Sequence, residues 1–426
     1  MIAGHGFSPP RVIKRDKRRG GWWQRAIVLV DMNAFFASIE QLKNPEWRGR
    51  PVAITNGRVG TTIITCSYEA RAYGVRTGMR LRVAREHCPE LIQAPSRPEI
   101  YARISSRIMR SLEEITPEVE VFSVDEAFLD ITSVQRLHGS PVEIARRVKR
   151  QVLAASGIPC SVGLSGDKTT AKYAAKLNKP DGFTVIPPWE AKERLEEVPV
   201  TELCGINRGV GDFLAAHGVT RCGQMGRLPV SVLAARFGNL GRRIWLMCQG
   251  EDPEPIITRV SSPKTIGHGK VVPPGTTDRQ TIETFLHHMS EKVAARLRRH
   301  RMEARRLFIG VRSDQGWIGI KQRLERPTDD GQVLFYWCRH FLDRQWRGEP
   351  LHQVQVTALS LAPVGMQQSL FDLSGTRRMA LNSVQDQING RYGEFAIAPA
   401  TLLKRSQMPN VIAPSWKPEG VRETVL

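Results

Sequence analysis

Three acidic residues stand where a folded chain could gather negative charge. Asp31 ends the apolar run Ile27-Val-Leu-Val30, and Asp125 with Glu126 interrupts the mostly apolar stretch from Val119 to Ile131. A carboxylate at the end of a buried strand, beside a turn carrying two more, supplies hard oxygen ligands for a divalent cation such as magnesium. Phosphoryl transfer is the chemistry that leans most on such a cluster, because its barrier falls through positioning and charge neutralisation. On the residues alone a second reading stands beside this one. Asp31 is then a corner residue, and Asp125-Glu126 marks a solvated turn.

The elements that must position these groups are legible in outline. Ile27–Val30 is short and apolar enough for a buried strand. Asn33 sits where a helix N-cap belongs, ahead of a helical pattern from Ala34 to Leu42. Val119–Ile131 reads as two strands about a turn at Asp125-Glu126. Helical signals cover Tyr68–Tyr73 and Tyr101–Ile115. Ser161–Leu164 reads as another buried strand, followed by a helix through Lys172 and Lys176 that Asn178-Lys-Pro-Asp-Gly182 breaks. From Glu190 to Gly250 the pattern is short helices punctuated by glycine. Pro253, Pro255 and Pro263 mark a linker. A strand–helix–strand–strand–helix–strand order follows. Ile282, Phe285, Leu286, Met289, Val293 and Leu297 share a helical face, with Arg296, Arg298 and Arg299 outside it. Leu307, Ile309 and Val311 alternate, as do Ile318 with Ile320 and Val354 with Val356, which predicts a sheet with one face covered by helices.

The chain has 62 Lys and Arg against 42 Asp and Glu, a net charge of +20 over 426 residues. Such an excess favours a polyanionic partner, nucleic acid before any other, because neutralised phosphates release their counterions. A generally basic surface is the plainer reading. The cations are spread along the chain, which disfavours an anionic membrane, and no apolar run is long enough to span a bilayer. The seven cysteines form no Cys-x-x-Cys pair. A disulfide framework or zinc site is disfavoured, and a reducing cytoplasm is expected.

Four ordered motifs carry a resemblance. They are Val28-Leu-Val-Asp-Met-Asn-Ala-Phe-Phe-Ala-Ser-Ile-Glu40, Tyr68-Glu-Ala-Arg-Ala-Tyr-Gly74, Phe122-Ser-Val-Asp-Glu-Ala-Phe-Leu-Asp130, and Val162-Gly-Leu-Ser with Ala171-Lys leading into Lys179-Pro-Asp-Gly182. Together they resemble the active-site motifs of the Y-family of translesion DNA polymerases, closest to the polymerase IV branch with some polymerase V character. The resemblance covers Ile27 to Phe183 closely and continues more loosely to about Pro363.

The resemblance implies an α+β multidomain fold, a right-hand polymerase with palm, fingers, thumb and little finger. The boundaries it implies are a basic arm over 1–25, a palm over 26–34 and 97–189, and fingers over 35–96. A thumb with a helix–hairpin–helix follows over 190–252, a linker over 253–263, a little finger over 264–362 and a tail over 363–426. It implies template-directed, error-prone DNA synthesis without proofreading in DNA damage tolerance, within the SOS response. Asp31, Asp125, Glu126 and the backbone carbonyl of Met32 would hold two Mg2+ ions. Asn33 stands where many relatives carry a second Asp. Phe36 would be the steric gate against a 2′-hydroxyl, supported by Phe35. Helical neighbours point about 100° apart, so at least one of the two rings is expected to leave the core face. Tyr68 and Arg71 share a helix face. With Thr65 and Lys179 they would contact the triphosphate, although a plain surface pair is the reading without the resemblance.

The hairpin Gly205-Ile-Asn-Arg-Gly-Val departs from a Gly-x-Gly form, with Asn207 expected to stand in for a left-handed glycine. Arg296, Arg298, Arg299, Arg301, Arg312, Lys321 and Arg323 are candidates for contact with DNA phosphate. Gln367-Gln-Ser369-Leu370-Phe371 resembles the peptide by which bacterial polymerases dock on the sliding clamp. A monomer in the bacterial cytoplasm, associated with the nucleoid, is expected. Its partners would be primer-template DNA, deoxynucleoside triphosphates and the clamp, with no membrane. A catalytically silent DNA-and-clamp adaptor and a palm-type nucleotide cyclase are the alternatives. The first should lack the metal carboxylates, and the second has no use for a basic clamp domain.

Overall fold

The computed structural model describes residues 22–57, 61–259, 262–365, 373–403 and 405. Nearly all of the N-terminal arm and the whole of 367–371 lie outside them. The chain divides into two compact units, broadly residues 1–260 and 261–411.

The first unit is built on a five-stranded sheet. With all strands numbered along the chain, β1 is Ile27–Met32, β2 Val52–Thr55, β3 Ile63–Cys66, β4 Ile92–Pro95, β5 Val119–Val121, β6 Glu126–Asp130, β7 Cys160–Ser165 and β8 Phe183–Val185. The order in the main sheet is β5-β6-β1-β7-β8, so β1 is central and antiparallel to both neighbours. Its apolar run is continuous because both faces are covered. Val28, Val30 and Met32 pack in one core with Ile104 and Ile108 of helix Pro98–Glu113 and Ile144, Val148 and Val152 of helix Pro141–Ser156. Ile27 and Leu29 pack on the other side with Phe128, Ala171 and Ala175. The last two belong to helix Lys168–Leu177.

That helix lies unusually close to the sheet, and one glycine permits it. A Cβ on Gly163 would fall 2.0 Å from the Ala171 carbonyl oxygen and 2.4 Å from the Ala175 nitrogen. Any side chain there would push the helix off β7. Asp167 caps the helix, accepting from the Thr170 N–H at 2.8 Å. Its other oxygen, Oδ2, has no hydrogen-bond partner among the described residues. Burial pushes this carboxyl up from 3.8 to about 6, against the lowering effect of the Thr170 bonds. The folded value lies above the unfolded one. The acid's contribution is therefore full below about pH 4 and lost as the pH rises through about 6. Asp167→Asn keeps a capping oxygen. It is expected to stabilise the chain by about 2 kcal/mol at pH 7.5 and to leave it unchanged near pH 4. Urea denaturation at the two pH values checks this.

A second, three-stranded sheet runs β3-β2-β4. Ser67 caps the helix Tyr68–Ala72 that leaves it. Short helices follow from Ala191 to Met247 around their own core. In the expected hairpin, Gly205 has φ +96°, while Asn207 is extended at φ −80°. The left-handed role expected of Asn207 is thus corrected. Asn207 instead caps helix Arg208–Ala216, its Oδ1 accepting from the Val210 N–H at 3.0 Å. A short polar side chain serves a cap at lower cost than it serves a left-handed turn.

The proline-marked linker is partly tied down. Asp252 takes a bidentate Arg243 guanidinium at 2.8 and 2.9 Å and the Thr169 hydroxyl at 2.6 Å. The Ile257 N–H donates to Glu120, itself in a buried pair with Lys168. Residues 252–257 therefore belong to the first unit.

The second unit has the expected element order. Its sheet is β11-β10-β12-β9, where β9 is Ile266–Thr276, β10 Met302–Ser313, β11 Gly316–Thr328 and β12 Leu351–Pro363. Ile309 pairs with Ile320 and Val356, and Val311 with Ile318 and Val354, so the alternating residues share one face. They meet helices Arg279–Arg299 and Gly331–Gln345 in the core. Later described residues, up to 403, pack against helix Arg279–Arg299. Helix Leu373–Tyr392 and the turns after it are fastened by Arg298 to Asp386 at 2.6 Å, Lys292 to Glu394 at 2.9 Å and Thr401 to His287 at 2.9 Å. Two candidates for DNA contact are corrected here. Arg298 is spent on Asp386, and Arg296 donates to the Gly267 carbonyl at 2.9 Å. Arg298 thus binds a later segment of the chain, and Arg296 the strand that precedes its helix. Arg312, Lys321 and Arg323 remain exposed on the sheet.

Candidate active site

Strand register brings the acids together. Asp31 in β1 lies directly opposite Glu126 in β6, and the Met32 N–H donates to the Asp125 carbonyl at 2.9 Å. Cross-strand partners of this kind have Cβ atoms about 5 Å apart. Asp31 continues the face of Ile27 and Leu29, and Glu126 that of Phe128, so both face helix Lys168–Leu177. That helix supplies Lys172, whose Nζ reaches Glu126 at 2.7 Å. Lys179, just beyond the helix, is ion-paired to Asp31. The Ser123 hydroxyl donates to Asp125 Oδ1 at 2.6 Å.

Burial raises the Asp31 carboxyl well above the usual carboxylate range, Lys179 pulls it down, and Glu126 raises it again. Burial likewise raises Asp125, opposed chiefly by the Ser123 hydroxyl. Packed carboxylates of this kind become comfortable only with added positive charge. Among the described residues, no three His, Cys, Asp or Glu side chains converge, as they stand, into a ready cation site. Two lysines and a serine hold the oxygens instead. The donor set is nevertheless all oxygen, on adjacent backbone positions, with flexible ammonium groups as its present counterions. It fits a hard divalent cation once those side chains turn aside.

Asn33 is not a helix cap, and that expectation is corrected. Ala34 holds the N-cap position of helix Phe35–Lys43 at φ 44°, ψ 48°. The Asn33 side chain is buried, its Nδ2 donating to Ser161 Oγ at 3.2 Å and Tyr68 Oη at 3.3 Å. It ties the end of β1 to β7 and to the helix Tyr68–Ala72. Tyr68 carries the Arg71 guanidinium over its ring at 4.6 Å. Asn33, Tyr68 and Pro180 line one cavity of about 410 Å³ with Arg48. Thr65 is half-buried in β3, opposite Ile54.

Phe35 and Phe36 are both in the core, at 2 % and 8 % exposure, so the expectation that one escapes is corrected. The helix is short and wedged between two sheets, and two faces of it are buried. Phe36 stacks on Tyr101 with centroids 4.3 Å apart and planes 15° apart. Tyr101, Ser123 and the pairing role of Lys172 were not singled out from the sequence. Ser123 and Lys172 fall inside the quoted motifs, and that placement was the available signal. Tyr101 gave no more than a helical position.

Residues 30–176 match the impB/mucB/samB family, and residues 263–370 match the C-terminal domain of that family. The DNA polymerase IV of Moorella thermoacetica is 37% identical over 387 residues, covering 89% of this chain and 96% of the relative. That of Desulfatibacillum aliphaticivorans is 33% identical, covering 89% and 97%. DNA polymerase IV 2 of Bacillus subtilis is 30% identical, covering 89% and 95%. Among solved structures, a Y-family DNA polymerase chimera, Dbh-Dpo4(243-245)-Dbh, superposes with a TM-score of 0.69 at 26% identity, over 79% of this chain and 99% of that one. The chain belongs to the impB/mucB/samB family, as a Y-family translesion DNA polymerase of the polymerase IV type.

Proposed function

We propose that this chain adds deoxynucleotides to a primer 3′ end by phosphoryl transfer assisted by two Mg2+ ions held by Asp31, Asp125, Glu126 and the Met32 carbonyl. The observation that carries the reading is the pairing of Asp31 with Glu126 across β1 and β6, with Asp125 bonded to the next residue of β1. The chemistry such ions supply is charge, which favours loss of the primer hydroxyl proton and departure of pyrophosphate. The chain's own residues do the rest. Lys172 and Lys179 hold Glu126 and Asp31 in place until substrate arrives. Lys179 then turns to the triphosphate, with Tyr68, Arg71 and Thr65 beside it. Phe36, backed by Phe35, lies against the sugar and excludes a 2′-hydroxyl.

The domains in this reading are a palm over 26–34 and 97–189, fingers over 35–96, a thumb over 190–252 and a little finger over 264–362. Arg312, Lys321 and Arg323 on the open sheet face suit DNA phosphate, and the net charge of +20 supports a polyanionic substrate. Synthesis is error-prone, without proofreading, by a monomer acting on damaged DNA in the cytoplasm. Extension of a primer opposite a defined template base, one nucleotide at a time, tests the reading. The complementary deoxynucleotide should be added in preference to the other three. A silent adaptor gives no product, and a cyclase ignores the template.

Gln367, Ser369, Leu370 and Phe371 form the proposed clamp peptide, in which Leu370 and Phe371 fill an apolar pocket. Deleting 367–371 should leave synthesis without clamp unchanged and remove stimulation by added clamp, roughly tenfold or more. Stimulation that survives the deletion assigns docking to another segment.

A further inference from the structure

The gate-bearing helix Phe35–Lys43 carries a buried acid one turn beyond Phe36. Glu40 is 2 % exposed, and its carboxylate is fully engaged. Oε1 accepts from the Tyr101 phenol at 2.7 Å and from Arg97 Nε at 2.9 Å, and Oε2 accepts from the same guanidinium. Arg97 and Tyr101 sit at the start of helix Pro98–Glu113, four residues apart. Tyr101 is fully buried, and its ring is the surface on which Phe36 stacks. Glu40 thus holds the far end of the ring that lies flat beneath Phe36, and it sits on the same helix as Phe36. Residues at i and i+4 on one helix share a face.

We propose that Glu40 is a positioning residue for sugar discrimination, acting through Tyr101 and Arg97 to fix the depth of the Phe36 ring. The inference rests on Phe36 as the gate. A gate works only if it cannot sink when a 2′-hydroxyl presses on it. Phe36 could retreat only by displacing Tyr101. A phenol anchored to a carboxylate that also holds a guanidinium resists that displacement, because charge-assisted bonds are the strong ones. Glu40 is buried and acts only through the side chains it holds. Small misplacements at such sites have large kinetic effects.

The test measures kcat/KM for a deoxynucleotide and its ribonucleotide opposite one template base. Wild type, Glu40→Ala, Glu40→Gln, Tyr101→Phe and Phe36→Ala are compared. Glu40→Ala is expected to relax the deoxy/ribo ratio roughly tenfold, chiefly through a lower KM for the ribonucleotide. Glu40→Gln keeps an acceptor for Tyr101 and should restore most of the ratio. Tyr101→Phe keeps the ring, folds with little disturbance, and should relax the ratio a few-fold. If Glu40→Ala does not fold, Tyr101→Phe alone decides. A purely structural role lowers thermal stability and slows both nucleotides equally. An unchanged ratio in Glu40→Ala and Tyr101→Phe, with Phe36→Ala relaxed, overturns the positioning role alone. An unchanged ratio in Phe36→Ala overturns the gate, and this proposal with it.

Discussion

Asp125→Ala is expected to lower primer extension by on the order of a thousandfold or more while leaving binding to primer-template DNA within about twofold. The asymmetry follows from where the acid stands. Asp125 is buried beside Asp31 and Glu126, and its carbonyl remains hydrogen-bonded to Met32 whatever its side chain. The substitution keeps the turn and removes one carboxylate from the cluster. It also relieves repulsion among buried acids, so thermal stability should hold or rise. DNA affinity comes from basic residues elsewhere and should not follow the loss. Quench-flow extension and fluorescence anisotropy on the same preparation separate the two. A variant that still extends primers at a tenth of the wild-type rate would remove Asp125 from the chemistry.

Phe36→Ala is expected to raise ribonucleotide use relative to deoxynucleotide use by roughly ten- to a hundredfold. That range corresponds to about 1–3 kcal/mol of overlap relieved against a packed ring. Phe36 stacks face to face on Tyr101 and meets Phe35 at 5.7 Å, so it has no free volume behind it. A ring in loose surroundings would yield to a hydroxyl and discriminate poorly. Removing so large a buried side chain also costs about 3–5 kcal/mol of stability. Phe36→Leu, which keeps more of the volume, should fold better and show a smaller effect in the same direction. Unchanged selectivity in both variants would assign sugar discrimination elsewhere.

Much of this site was legible in the sequence because its parts are local. A four-residue apolar run flanked by an acid fixes a two-face-buried strand, and Asp31 follows from its end. The turn at Asp125-Glu126 was equally local. Sequence could not show that Asp31 and Glu126 are directly paired, because register is set by how the faces of β1 and β6 pack. The same limit hid Lys172. A lysine on a helix reads as solvated until Gly163 lets that helix close on the sheet. Asn33 misled for a related reason. Its residue type suits a cap, but a buried site between two strands outbid the cap position, and Ala34 took the left-handed corner instead. The basic helix Arg279–Arg299 misled through exposure. Arg298 looks free until Asp386 meets it, and Arg296 until β9 offers the Gly267 carbonyl.

The central claim is that these three acids share divalent ions during nucleotide addition. Binding of Mn2+ followed by electron paramagnetic resonance reads it directly, using the chain on a dideoxy-terminated primer-template with the matching triphosphate. Wild type should bind two ions per chain. Asp125→Ala should retain no more than the one that a triphosphate carries by itself. Equal stoichiometry and affinity in the two proteins would contradict the account.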